Sequence, residues 1–183
     1  MPSGPFSHVC MVVRDLDKAI EDWTKILRVL DPQSLEKPIV KYDEFSSGDD
    51  AGMKWATFVN EYSTEIQFIQ PAPGTPMGRR LDKVGEHVHH LCFTTDDVPG
   101  AMEKLKAEGL HLPGDGQTFN DPDMTWQKWS WVGAKSTHGC LIEVASPYES
   151  HDDGKWHHAP NKFAYKGPGE HPSHAETVPI TAN

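Results

Sequence analysis

Ser7-His8-Val9-Cys10-Met11-Val12-Val13-Arg14-Asp15-Leu16 and His89-His90-Leu91-Cys92-Phe93-Thr94-Thr95-Asp96-Asp97-Val98 decide the fold, because the second stretch repeats the first. At a constant offset of 90 − 8 = 82, His8, Cys10, Asp15, Ala19 and Glu21 meet His90, Cys92, Asp97, Ala101 and Glu103. Apolar positions agree as well: Val9 with Leu91, Met11 with Phe93, Leu16 with Val98, Ile20 with Met102, and Trp23 with Leu105. Agreement in residue type, order and register indicates two copies of one unit, over about residues 5–75 and 86–148.

Each copy opens with a strand. A period of two puts Val9, Met11 and Val13 on one face and His8, Cys10 and Val12 on the other, and His90, Cys92 and Thr94 share a face by the same rule. A helix follows, with Asp15 and Asp97 placed to cap its first turn. Leu16, Ile20, Trp23, Leu27 and Leu30 recur every three or four residues as one apolar stripe, and the second copy keeps Val98, Met102 and Leu105 before Gly109 ends its helix. Further strands are predicted over 41–45, 53–59 and 64–69, then over 117–119, 125–132 and 139–145, separated by turn-type residues. The class is therefore α+β: two tandem βαβββ modules forming a curved eight-stranded sheet around a cleft. Residues 1–148 make this domain, and 149–183, rich in Pro, Gly and His, read as an irregular tail.

Composition bounds the function. The 183 residues carry 17 Lys and Arg against 27 Asp and Glu, a formal charge of −10, which repels a phosphate backbone. Nucleic acid is therefore not expected as a partner. No run of 18 uncharged apolar residues exists, so a membrane helix is not expected either. Three scattered cysteines (Cys10, Cys92, Cys140) and a start without signal-peptide character suggest a reducing, cytoplasmic setting.

The strands ending the two copies also match. Gln67-Phe68-Ile69-Gln70-Pro71 aligns with Glu143-Val144-Ala145-Ser146-Pro147, at an offset of 143 − 67 = 76. The repeat thus places His8 and Gln67 in one module and His90 and Glu143 in the other, and a pseudo-twofold relation would gather all four. Imidazole nitrogens with carboxylate or amide oxygens suit a borderline divalent metal. A single strand histidine is more often a packed core residue, so the set of four carries the argument. Glu143 adds to it, since a carboxylate inside Cys140-Leu141-Ile142-Glu143-Val144-Ala145 is costly unless something compensates its charge.

On these strands the chain resembles the vicinal oxygen chelate superfamily, which includes glyoxalase I, the extradiol dioxygenases and the bleomycin resistance proteins. The order His, Gln, His, Glu is most similar to the methylmalonyl-CoA epimerases. The resemblance covers about residues 5–148 and implies His8, Gln67, His90 and Glu143 as ligands of one divalent ion (Co, Mn, Ni, Zn or Fe). His89 precedes a ligand position and is not expected to ligate, and Cys10 and Cys92 are expected to fill space. The epimerases use two carboxylates on the reacting carbon, which implies Glu143 and, ahead of Gly52, Asp50 as catalytic groups.

The expected activity is that of an isomerase or lyase whose metal chelates adjacent substrate oxygens and stabilises an enolate. The alternative is an extradiol-type iron dioxygenase acting on a catechol, since His8, His90 and Glu143 also spell the two-His-one-carboxylate triad. A non-enzymatic resistance protein is the weakest option, because all four ligand types are retained; a glyoxalase I-like lyase usually has Glu where Gln67 stands. Arg79, Arg80 and Lys83 between the modules are candidate phosphate contacts for a CoA ester. Trp126, Trp129 and Trp131 on one predicted strand, with Trp55 matching Trp131 at the offset of 76, favour a flat aromatic substrate if they line the cleft, and core packing is the simpler role for them. His157-His158 is a possible second metal site. A homodimer is expected because related folds often dimerise.

Overall fold

In the computed structural model, which describes residues 6–47, 50–60, 64–150 and 153–160, each half of the chain forms a βαβββ unit. The first comprises β1 (Phe6–Val12), α1 (Leu16–Leu30), β2 (Val40–Ser47), β3 (Asp50–Phe58) and β4 (Glu65–Gln70). The second comprises β5 (His87–Thr94), α3 (Val98–Ala107), β6 (Phe119–Asn120), β7 (Lys128–Val132) and β8 (Leu141–Ala145). Together they make one eight-stranded sheet in the order β2-β3-β4-β1-β5-β8-β7-β6. Its symmetry is explicit: β1 pairs parallel with β4, β5 pairs parallel with β8, and β1 and β5 meet antiparallel at the centre.

Both helices cover one face. The Asp15 carboxylate accepts from Lys18 N at 2.9 Å, and Asp97 accepts from Gly100 N at 3.0 Å, so each helix starts where its cap residue stands. Gly109 takes φ +78° just past α3, a conformation that favours glycine. Leu16 and Leu27 bury against Phe58 and Phe68, with Ile20 and Trp23 packed beside them. Leu30 departs from the expected stripe and is 76% exposed. It is the last helical residue; Asp31 then turns the chain into a short 3-10 helix (Pro32–Leu35) whose Leu35 packs on the core instead. Under α3 the core is Val98, Met102, Leu112, Val132 and Val144.

The connection between modules contains α2 (Pro76–Val84), where the sequence reading predicts no element. Its local signals are present: Thr75 Oγ1 accepts from Gly78 N at 3.1 Å, Pro76 occupies the first turn, and Gly85 follows the last. Residues 125–127, read as strand, belong to a turn in which Asp121 accepts from the backbone N–H groups of Asp123 and Met124.

The chain beyond 148 is not irregular throughout. Tyr148–Ser150 (β9) and Trp156–His158 (β10) form an antiparallel hairpin whose aromatic side chains pack onto the cleft. His157 and His158 do not converge there: His157 Nε2 lies 2.9 Å from Asp153 Oδ2, and His158 stacks on Trp126. His171 and His174 lie outside the described residues. Among the described residues, no helix is long and apolar enough to cross a membrane.

Candidate metal centre

The central ladder positions the site. His8 stands opposite Cys92 and Cys10 opposite His90 across β1 and β5, so the two histidines are diagonal neighbours on one face. In the flanking parallel pairs Cys10 stands beside Gln67, and Cys92 stands beside Glu143. The pseudo-twofold therefore passes between the two cysteines, and each module supplies one histidine and one oxygen-bearing side chain. Both cysteines are fully buried, and burial pushes their thiols well above the ordinary range; Cys92, expected to fill space, nonetheless brings its Sγ within 4.8 Å of a ligand atom of His8 and of Glu143.

Three donors converge. His8 Nε2 lies 3.0 Å from His90 Nε2, and Glu143 Oε2 lies 3.3 Å from the first and 3.1 Å from the second. Donors bonded to one cation at about 2.1 Å stand about 3.0 Å apart in an octahedron and about 3.4 Å apart in a tetrahedron. The triangle falls within those limits, so the residues fit a single divalent ion. Gln67 lines the same cavity, and its amide nitrogen donates to Thr57 Oγ1 at 3.3 Å, which leaves the carbonyl oxygen as the atom it could offer a cation. Burial alone would push the Glu143 carboxyl up, but His90 and His8 outweigh it and hold the group well below the usual carboxylate range.

Each histidine is oriented from behind. His8 Nδ1 lies 2.7 Å from Tyr148 Oη, and Tyr148 in turn donates to Glu65 Oε2 at 3.1 Å while accepting from Ser7 Oγ at 2.9 Å. Burial and the Glu65 carboxylate push the Tyr148 phenol well above its usual range, so it keeps that proton. The arrangement satisfying every atom has His8 Nδ1–H donating to Tyr148, which turns the Nε2 lone pair toward the centre. His90 Nδ1 likewise lies 2.9 Å from His89 Nδ1. Burial, then the charge of His90, lowers His89 to about 3, and burial lowers His90 too, so both rings are neutral at pH 7 and one can accept from the other. His89, not expected to ligate, thus supports the candidate ligand His90 from behind. Tyr148 and Glu65 carried no local signal, because their meeting depends on a contact between residues 83 positions apart.

Asp50 is not brought to this cluster. Its Oδ1 accepts from Met77 N at 2.8 Å, capping the start of α2. Arg79 and Arg80 are also engaged elsewhere, donating to Gly74 O and His87 Nε2.

The cleft walls are aromatic: Trp55, Trp129, Trp131 and Trp156, with Phe45 and Tyr148, enclose a cavity of about 90 Å³ beside the ligand triangle. The proposed match of Trp55 with Trp131 is corrected by the ladders. Trp55 stands opposite Ile69 and Trp129 opposite Ala145, whereas Thr57 and Trp131 stand opposite Gln67 and Glu143. The β7–β8 connection is longer by (143 − 131) − (67 − 57) = 2 residues, which slides the matching strands by one full pleat. Gln67 therefore has a hydroxyl beside it, and Glu143 an indole.

Comparison with known proteins agrees with this fold. A 147-residue stretch is 24% identical to the ethylmalonyl-CoA/methylmalonyl-CoA epimerase of Cereibacter sphaeroides, covering 77% of this chain and 96% of that protein. The fold matches methylmalonyl-CoA epimerase from Mycobacterium tuberculosis with a TM-score of 0.60 at 22% identity, over 80% of this chain and 92% of that one. A single-site variant of the Streptomyces coelicolor methylmalonyl-CoA epimerase, in complex with 2-nitronate-propionyl-CoA, matches with a TM-score of 0.60 at 20% identity, over 78% and 96%. Residues 7–125, well over half the chain, match the family model itself, and with the duplicated βαβββ sheet this establishes that the chain belongs to the glyoxalase/bleomycin resistance protein/dioxygenase superfamily.

Proposed function

We propose that this chain is a divalent-metal-dependent isomerase or lyase that binds adjacent oxygens of a small substrate and stabilises an enolate. The observation that carries the reading is the triangle of His8 Nε2, His90 Nε2 and Glu143 Oε2, with Gln67 in the same cavity. A cation held there would act as a Lewis acid toward an oxyanion developing on the substrate. The chain's own residues do the rest. Glu143 offers Oε2 to the centre, leaving Oε1 to take a proton from the carbon next to a carbonyl and return it. Tyr148 and His89 hold the two imidazoles in the orientation the centre needs, and the tryptophan walls limit water around the reacting atoms. Asp50, engaged at α2, is assigned the helix cap and not the second base. The epimerase names of the similar proteins support the isomerase class.

Protein reconstituted with metal, incubated in deuterated water with a panel of 2-oxo acids and acyl thioesters, should exchange the hydrogen next to the carbonyl, followed by proton NMR. Exchange no faster than with free metal across the panel would refute the reading. The dioxygenase reading draws on the two histidines, the carboxylate and the aromatic walls. Gln67 weighs against it: four protein donors leave two positions of an octahedral ion, one fewer than a chelated catechol and oxygen together need. Oxygen uptake with catechol after anaerobic iron loading would reverse that preference.

A further inference from the structure

Part of the wall around the candidate metal centre is fixed and part is adaptable. Trp55 stacks on Tyr42 with ring centroids 4.4 Å apart and lies 4.2 Å from Trp156, which stacks in turn on Tyr148 at 4.2 Å. These rings are already occupied by one another, so the aromatic wall belongs to the packed interior and does not open for a guest. Met53, Met77 and Met124 also line the cavity, and they come from β3, α2 and the turn before β7. Met77 and Met124 are held at the backbone, where their N–H groups donate to Asp50 Oδ1 at 2.8 Å and Asp121 Oδ1 at 2.6 Å. Their side chains are half-buried, and a methionine side chain is unbranched and turns about three bonds, so it closes on whatever apolar group meets it. Three such side chains from three separate elements give the centre an apolar lining that conforms to a small aliphatic group.

Volume sets the size of that group. The cavity holds about 90 Å³. An apolar cavity of about 150 Å³ takes one benzene, so this one takes roughly four non-hydrogen atoms besides the oxygens that a cation would hold. The three carbons and one remaining oxygen of a chelated pyruvate make that number. Charge sets the orientation: no lysine or arginine lines the cavity among the described residues, so nothing in its walls pairs with phosphate or a second carboxylate. The anionic end of a substrate therefore belongs at the cation, and its far end is apolar.

We infer that the substrate is a free 2-oxo acid of three or four carbons, and that Met53, Met77 and Met124 set this length by receiving its hydrocarbon end. The inference rests on the enolate reading of the same centre, and the test separates the two. Pyruvate, 2-oxobutyrate, 2-oxovalerate and 2-oxohexanoate share the chelating oxygens and an enolisable carbon, and they differ only in length. In calorimetric titration into cobalt-reconstituted protein, 2-oxobutyrate should bind up to about fourfold tighter than pyruvate, the value of one buried methylene. 2-Oxohexanoate should bind at least about tenfold more weakly than the better of those two, because the excess chain must displace packed side chains. Met53→Ala shortens the wall and leaves room for the longer chain, so 2-oxohexanoate should come within about threefold of 2-oxobutyrate, whereas general damage weakens every acid alike. Met124→Ala, at a half-buried position, gives the same readout should the buried Met53 not tolerate change. The inference is overturned by 2-oxohexanoate or methylmalonyl-CoA binding as tightly as the short acids, by no binding of either short acid, or by an unchanged length ratio in both variants. Exchange in deuterated water on the same samples assigns the failure. Length preference without exchange removes the enolate reading and leaves the length limit standing. Exchange of long and short acids alike does the reverse.

Discussion

Glu143→Gln tests the centre most directly, because it removes one charge and almost no volume from the ligand triangle. The carboxylate lies 3.1 and 3.3 Å from the two imidazoles, and the amide can still hydrogen-bond to them, so the metal-free fold should survive. Metal added at 100 times Kd stabilises the folded wild type by about 2.7 kcal/mol. For a chain of 183 residues each kcal/mol moves Tm by about 2–4 °C, which gives a rise of about 5–11 °C. Losing a residue that only supports a ligand costs about 10–100-fold in metal affinity, and losing the anionic ligand itself should cost at least the upper figure. At the same metal concentration a 100-fold weaker variant gains about 0.4 kcal/mol, or about 1 °C. Differential scanning fluorimetry with Co, Mn, Ni, Zn and Fe, beside elemental analysis for one ion per chain, measures both numbers. A variant keeping the full wild-type shift would remove Glu143 from the ligand set. A wild type that shifts with none of the five would remove the metal.

Tyr148→Phe deletes the hydroxyl joining His8, Ser7 and Glu65, and should weaken metal binding about 10–100-fold while costing about 1–3 kcal/mol in urea denaturation. Phe68→Ala, at a fully buried position between Trp23 and Phe58, should cost about 3–5 kcal/mol by the same measurement without changing metal stoichiometry. Asp50→Ala should lose about 1 kcal/mol, the value of a helix cap; a fall in isotope exchange above about 100-fold at that small stability cost would make Asp50 a base after all. In chelator-treated protein, stability should fall as pH drops from about 6.5 toward 3. In that window the unfolded chain binds a proton that folded His89 refuses, and the loss seen by thermal melts should shrink in His89→Asn.

The sequence by itself determined the duplication, the βαβββ order and the face of each central strand, because these follow from local periodicity and from a repeat whose register is constant over β1 and α1. It also carried His8, His90 and Glu143, since period-two alternation fixes which side of a strand a residue occupies. It could not carry the shift of Trp131 beside Glu143, which arises from a turn longer by two residues and so shows only once the strands pair. Nor could it place Asp50, whose carboxylate finds a backbone N–H 27 residues away, or join Tyr148 and Glu65 to His8. Hydrogen bonds reach only about 3 Å, so which distant groups meet is settled by how the sheet curls and where the C-terminal hairpin lands. The tertiary structure alone decided that indoles would wall this centre.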